Sequence, residues 1–525
     1  FILFSYLYEY QLVMLKKVYG SAIHGVDAIT VTVEVNVENG IGYHLVGLPD
    51  NAIKESNYRI AAALQNNHYR IPGKKIIINM SPAALRKEGS AYDLTLALGI
   101  LSASGQIKSE SIEDYLIMGE LSLDGSVLPI KGALPIAIKA KQEGYKGFIL
   151  PIQNAREASI VDNFKVFGVS NISEVINFFD KYQQLSATTI NTERELNKKL
   201  EFFEHDFSDV KGQESIKRCM EIAAAGGHNL ILIGPPGSGK TMLAKRLPSI
   251  LPPMTVVESL ETTKIHSVTG KLNENVGLIT QRPFRNPHHT ISDVALVGGG
   301  SYPQPGEISM SHNGVLFLDE LPEFKRSVLE VMRQPLEDRE VTISRAKYTL
   351  TYPSSFMLVA SMNPSPSGYF NNSDAPIRSS PYEMQRYLSK ISGPLLDRID
   401  LHIEVTPVPF KRLSDKVKSE SSRSIRARVC AARKLQSLRY VKSGKVHYNA
   451  QMTSRQIIKY CKLNNPSLKL LETAMSRLDL SARAYNRILK VSRTIADLAC
   501  SEDIHANHIG EAIQYRSLDR AGWLQ

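Results

Sequence analysis

Gly234-Pro235-Pro236-Gly237-Ser238-Gly239-Lys240-Thr241 packs more chemistry into eight positions than any other part of this 525-residue chain. The spacing is G-x-x-x-x-G-K-[ST]. Glycines there let successive backbone N–H groups curl around an anion, and a helix opening at the lysine adds the positive end of its dipole. Lys240 supplies a point charge for the outer phosphates of a nucleotide, and the Thr241 hydroxyl is placed to ligate Mg²⁺. Downstream, Val315-Leu316-Phe317-Leu318 runs into Asp319-Glu320. Asp319 is the candidate to hold Mg²⁺ through water, and Glu320 the candidate to polarise an attacking water. Alone, such an acidic pair is often only a helix N-cap. Following the phosphate loop, it implies ATP binding and hydrolysis with Mg²⁺ as cofactor.

A sheet must present these groups together. Short apolar runs at 229–233, 315–318 and 356–360 read as buried strands, and 241–247 reads as a helix. Strands alternating with helices imply a mostly parallel sheet, with ligands at the C-terminal strand ends. A separate α/β unit precedes it. Strands are expected at 29–37, 75–79, 116–121 and 147–150, and helices at 51–65, 92–104 and 133–142, with a turn at Asp124-Gly125. Residues 181–209 are polar and read as a linker. Beyond Phe410 the pattern is helical, at 424–437, 454–459, 467–478, 482–499 and 505–515. The expected organisation is an α/β domain over 14–180, the linker, a second α/β domain over 210–410 and a helical domain over 411–525.

Composition narrows the classes. Hydrophobic residues make up 43% of the chain and charged residues 22%, as in globular proteins. The length allows about two to four domains. Apolar runs long enough to span a bilayer are missing, so no membrane partner is expected. The four cysteines, Cys219, Cys430, Cys461 and Cys500, are far apart, and a reducing cytoplasm is the default compartment. Residues 1–13 lack a signal-peptide layout and read as a non-native leader before Met14. The net charge of +11 is unevenly placed: residues 411–525 hold 23 Lys+Arg against 9 Asp+Glu, which leaves the first 410 residues at −3. Arg426, Arg428, Arg433 and Lys434 on the expected helix 424–437 therefore suggest a polyanion surface.

The central region resembles an AAA+ ATPase, and within that class the magnesium-chelatase-like ComM/YifB family. Four segments carry the resemblance: Arg282-Pro-Phe-Arg-Asn-Pro-His-His-Thr290, Ala295-Leu-Val-Gly-Gly-Gly300, Gly306-Glu307-Ile308 and Gly393-Pro-Leu-Leu-Asp-Arg-Ile-Asp-Leu401. It extends from Met14 to the C-terminus. It implies that Asn363 is the sensor-1 residue orienting water, that Arg398 is the arginine finger completing a neighbour's site, and that Arg483 is sensor 2, reaching the γ-phosphate from a helical lid. A finger acting in trans implies a homo-oligomeric ring, usually a hexamer. Two family insertions are expected to face its pore, 255–300 and the hairpin 341–350, with Arg345 and Lys347 at the hairpin tip as DNA-phosphate contacts. Adjacent histidines on an extended chain point to opposite faces, so His288-His289 is expected to be structural or DNA-contacting rather than metal-binding. Many family members carry a cysteine cluster after sensor 1. The corresponding stretch here, 364–370, has none, so no zinc is expected.

The N-terminal domain resembles the proteolytic domain of Lon, a ribosomal S5 domain 2-like fold. The matching segments are Arg86-Lys-Glu-Gly-Ser-Ala-Tyr-Asp-Leu94 and Gly119-Glu-Leu-Ser-Leu-Asp-Gly-Ser-Val-Leu-Pro-Ile130. Lon's chemistry needs a serine activated by a lysine, and the alignment puts Ala91 and Ile136 at those two places. Ser90 is offset by one residue, with Lys131 and Lys139 as conceivable bases. The ComM/YifB resemblance implies an ATP-dependent DNA translocase or helicase that promotes branch migration on single-stranded or branched DNA in recombination of incoming DNA. A chelatase-like motor remodelling a protein partner is the alternative, and an ATP-dependent protease the third reading.

Overall fold

The computed structural model describes residues 15–108, 110–191, 195, 203–272, 276–300, 302–345, 349–366, 380–408, 419–444, 446–478 and 480–516. Lys347, the leader 1–13 and Met14 lie outside them. The chain divides into two units, one formed by the residues before 199 together with Val256–Ile279, the other by the remainder.

The first unit is built on a seven-stranded sheet. Its elements are β1 (Leu15–His24), β2 (Asp27–Glu38), β3 (Gly42–Val46), α1 (Asn51–Asn66), β4 (Lys75–Ser81), α2 (Asp93–Ala103), β5 (Tyr115–Ile117), α3 (Ala133–Gln142), β6 (Gly147–Pro151), α4 (Ile152–Ala158), β7 (Lys165–Val169) and α5 (Ile172–Phe179). The strand order is β3-β4-β2-β1-β5-β6-β7. β1 and β2 form an antiparallel hairpin, β2 and β4 are antiparallel, and β1-β5-β6-β7 are parallel. On β2, Val31, Val33, Val35 and Val37 are buried and alternate with less buried residues, the pattern of a strand with one face on a core. Sequence periodicity misses β1, β3 and β7. Lys16, Lys17, His44 and Lys165 break the apolar runs there, and long-range pairing rather than local pattern makes these strands.

The second unit begins before its expected boundary. Phe207 is fully buried and its N–H donates to Ser422 Oγ at 2.8 Å, so the end of the polar 181–209 stretch belongs to a core. Then come α6 (Glu214–Gly226), β8 (Leu230–Ile233) and α7 (Lys240–Ile250). The next helix, α8 (Val256–Thr269), groups with the first unit. There the Gly132 N–H donates to Ser267 O at 3.1 Å, Ser267 Oγ donates to Glu157, and Lys264 pairs with Asp27 at 3.3 Å. The expected insertion 255–300 is thus split: 256–279 packs in the first unit and 280–300 in the second.

After the split follow β9 (Phe284–Arg285), β10 (Val315–Leu318), the hairpin β11 (Glu340–Ser344) and β12 (Thr349–Pro353), β13 (Met357–Met362) and β14 (Leu401–Glu404). The sheet order is β9-β10-β13-β8-β14, with every pairing parallel. All side chains of β8, β10 and β13 are buried, and each large aliphatic one contributes about 1.5–3 kcal/mol by leaving water. Beyond them are helices α9 (Ser422–Tyr440), α10 (Ser454–Tyr460), α11 (Asn465–Arg477), α12 (Ala482–Leu498) and α13 (Ala506–Gln514). Ser421, Thr453, Asn464 and Ser481 cap the first four, each accepting a backbone N–H from the first turn.

A buried charge network ties the sheet to α12. Asp400 accepts from Arg487 Nη1 at 2.8 Å and faces His228 Nδ1 at 3.1 Å, while His228 Nε2 meets Thr494 Oγ1 at 2.8 Å. Burial alone would raise the Asp400 carboxyl, but Arg487 and His228 outweigh it and hold it well below the usual carboxylate range. Burial lowers His228, despite the Asp400 carboxylate. Asp400→Asn is expected to destabilise this unit by about 1–3 kcal/mol at neutral pH, because it removes a buried carboxylate charge and leaves the Arg487 guanidinium, one-quarter exposed, without its charged partner. A depressed carboxyl contributes stability above its unfolded pKa of about 3.9 and loses it as pH falls below that. Denaturant melts of wild type and variant should therefore begin to converge below about pH 4 and go on converging as pH falls toward the depressed folded-state value.

Candidate nucleotide site

The loop between β8 and α7 is shaped by its glycines. Gly237 and Gly239 have φ of +77° and +91°, where side chains are strained. A Cβ on Gly234 would stand 2.3 Å from Val405 O. Gln213 Nε2 braces the loop from outside, donating to Ser238 O at 3.1 Å and Thr406 O at 3.3 Å. Ser238 Oγ is buried with no hydrogen-bond partner among the described residues. With the open space beside Gly237, it is the polar lining that a phosphate would satisfy.

Lys240 and Thr241 open α7 and face the ends of β10 and β13. The Lys240 ammonium donates to Gly234 O at 2.7 Å, Pro235 O at 3.0 Å and Asn363 Oδ1 at 3.1 Å. Burial lowers its pKa from the ordinary value, and the Asp319 and Glu320 carboxylates counter that. Thr241 Oγ1 donates to Asp319 Oδ2 at 2.7 Å, so the two expected Mg²⁺ ligands meet directly. The site therefore gathers Lys240, Thr241, Asp319, Glu320 and Asn363 at one edge of a parallel sheet.

Ser361 escapes the sequence reading, and so does the place of His289 beside Glu320. Ser361, fully buried on β13, donates to Asp319 Oδ1, and its Oγ accepts the Glu320 N–H at 3.3 Å. Its only signal is a hydroxyl in the apolar strand Met357–Met362. His289 lies with Nδ1 3.7 Å from Glu320 Oε2. The expected divergence of His288 and His289 is corrected: their ring centroids are 4.1 Å apart. The chain turns there instead of running extended, with the Ile291 N–H donating to His288 O at 3.0 Å.

The two expected γ-phosphate arginines are held by carboxylates of their own chain. Arg398 donates to Glu337 and, at 2.5 Å, to Pro394 O. Arg483, on the first turn of α12, donates to Asp397 Oδ2 at 2.8 Å.

The expected DNA cations separate sharply. Arg428 pairs with buried Glu221 and with Glu420, and these hydrogen bonds raise its pKa. Arg433 donates to Ala224 O at 3.0 Å and stacks on Tyr448 at 4.2 Å. Arg426 lies over Phe203 at 5.0 Å. These three arginines each make a contact within their own unit, although the Arg428 side chain remains 44% exposed. Arg345 is exposed at the hairpin tip, where a Cβ on Gly299 would stand 2.9 Å from its Nη2.

Comparison with known proteins matches this architecture. The profile "Magnesium chelatase, subunit ChlI" covers residues 206–413, "Subunit ChlI of Mg-chelatase" covers 33–154, and "Magnesium chelatase, subunit ChlI C-terminal" covers 419–516. The competence protein ComM of Haemophilus influenzae is 45% identical over 96% of this chain and 98% of its own length. The chain belongs to the ComM/YifB family. YifB of Escherichia coli, an uncharacterized protein, is 42% identical over the same shares of the two chains. The second unit is thus a magnesium-chelatase-like AAA+ domain with a C-terminal helical domain. The first contains a Lon-like region: Lon protease 2 of Bacillus subtilis is 30% identical over 27% of each chain.

In that region, Ser90 Oγ donates to Glu120 instead of meeting a lysine. Ile136 is buried in the core, and Lys139 is paired with Glu143 at 3.1 Å. Lys87, fully buried, spends its ammonium on the carbonyls of Gly47, Met80 and Pro82. Among the described residues, no helix is long and apolar enough to cross a membrane.

Proposed function

We propose that the chain hydrolyses ATP at this site and uses the cycle to move along single-stranded or branched DNA, promoting branch migration from a homo-hexameric ring. The convergence of Lys240, Thr241, Asp319, Glu320 and Asn363 at the sheet's C-terminal edge carries the reading. Thr241 and Asp319 would hold Mg²⁺, which when bound neutralises charge on the β- and γ-phosphates. The loop amides and Lys240 bind the phosphates, Asn363 orients the water, and Glu320 accepts its proton. Arg398, delivered by a neighbouring subunit, and Arg483 stabilise charge on the transferring group.

DNA enters the proposal through the competence protein among the relatives and through charge. Arg426, Arg428 and Arg433 make contacts within their own unit, and exposed cations such as Lys434, Lys442, Arg455 and Lys462 are available to phosphates. ATP turnover measured with single-stranded, duplex and forked DNA tests the reading. Stimulation by forked or single-stranded DNA is expected, and indifference to every DNA refutes it. The alternative of a chelatase-like motor draws on the family profiles and predicts copurification with a protein partner and no DNA affinity. Proteolysis, the third reading, is disfavoured by Ala91 and Ile136.

The Arg398–Glu337 contact makes a further prediction. A partly exposed pair is worth about 1 kcal/mol at most, or roughly fivefold in an equilibrium. If the finger must leave Glu337 to reach a neighbour, Glu337→Gln should lower the protein concentration for half-maximal ATPase by about two- to fivefold.

A further inference from the structure

Glu320 follows its strand in the left-handed region, with φ 54° and ψ 52°. Its N–H is fixed by Asp319 Oδ1 at 3.2 Å and Ser361 Oγ at 3.3 Å. Its side chain is half exposed, at 53%. A carboxylate that takes a proton from one particular water has to be aimed, and bonds to its backbone leave its χ angles open. Lys240 and Tyr387 feel the charge of that carboxylate from further away, and His289 is the side chain that the structure places within 4 Å of it among the described residues.

The topology explains the meeting. β9 and β10 are parallel neighbours, Phe284 beside Val315 and Arg285 beside Leu316, so the chain leaves both at the same sheet edge. The segment after β9 carries His289, and the segment after β10 carries Glu320. The imidazole is itself held. It meets Phe324 edge-on, with centroids 6.4 Å apart and planes at 79°, and it lies beside the His288 ring. Phe324 is buried and ends the short helical turn that starts directly after Glu320. His288 Nδ1 is fixed by Thr290, 2.9 Å from its Oγ1. The ring and the carboxylate are therefore braced on one short stretch of chain.

We propose that His289 is a positioning residue for Glu320, restricting the carboxylate to the orientation from which it accepts the water proton. The proposal rests on the reading of Glu320 as the base. At 3.7 Å the two atoms lie beyond direct hydrogen-bond distance. Its effect is to select a side-chain rotamer, and His289 moves no proton itself.

The test is steady-state ATPase, fluorescent ATP-analogue binding and thermal melting on the full-length protein. His289 is one-third exposed, so His289→Ala should fold. It is expected to lower kcat roughly tenfold with KM for ATP and analogue affinity unchanged. His289→Gln, which keeps a polar atom toward Oε2, should recover most of the rate, and His288→Ala should stay within about twofold of wild type. In a Glu320→Gln background, His289→Ala should cost nothing more. Wild-type kcat in His289→Ala, an equal loss in His288→Ala, or no recovery in His289→Gln would each overturn the proposal. The two assignments fail separately. If Glu320→Gln turns over normally, the base itself is misassigned; if Glu320→Gln is dead and His289→Ala is normal, only the positioning role falls.

Discussion

Glu320→Gln should leave ATP binding intact while slowing hydrolysis by about 10²–10⁴-fold, the usual contribution of a positioned general base. The amide keeps the size of the side chain but cannot take a proton at neutral pH. The neighbours that shape the site do not depend on it: Thr241 meets Asp319, Lys240 meets Asn363, and Ser361 holds Asp319 from the other side. Binding and turnover therefore separate, and ATP should accumulate on the protein. Filter binding of labelled ATP alongside phosphate release checks both. Equal loss of both would show that the carboxylate shapes the pocket. Normal turnover would remove Glu320 from the mechanism.

Arg398→Ala should be the more damaging of the two, by about 10³–10⁵-fold in kcat if the guanidinium stabilises the transferring phosphoryl group. Within one subunit Arg398 is bonded to Glu337 and Pro394 O. A trans role therefore makes a prediction that a local structural role does not. Arg398→Ala subunits keep an intact phosphate loop, and Lys240→Ala subunits keep an intact finger. Mixing the two inactive proteins should restore turnover at about a quarter of the interfaces of a randomly assembled ring, since each heterologous interface joins one pocket to one finger. No recovery, with assembly confirmed by light scattering, would mean that the arginine works within its own chain.

Most of the nucleotide chemistry is legible in the sequence because it is local. Gly234 to Thr241 must be contiguous for one loop to wrap an anion, and Asp319-Glu320 must follow a buried strand to emerge at its end. The short apolar runs at β8, β10 and β13 likewise announce themselves, being buried on both faces. Ser361 and His289 do not. A serine in a strand and a histidine in a polar segment carry no spacing signal, and what they touch depends on which strands become neighbours.

Charge followed the same division. The excess of cations in 411–525 is plain in the sequence, but only packing shows that Arg428 is paired with Glu221 and that Arg433 is spent on Ala224 O and Tyr448. An arginine's planar fork serves a buried carboxylate as readily as a phosphate, so composition cannot separate the two uses. The placement of 256–279 was also beyond the sequence. α8 lies between segments of the ATPase core, yet its contacts to Gly132, Glu157 and Asp27 put it in the other unit. By itself the sequence determined the phosphate loop, the acidic pair and the alternating α/β architecture, since these depend on residues adjacent in the chain. The tertiary structure decided which side chains lie against Asp319 and Glu320, which cations remain exposed and which unit receives α8, because those outcomes depend on contacts between residues far apart in sequence.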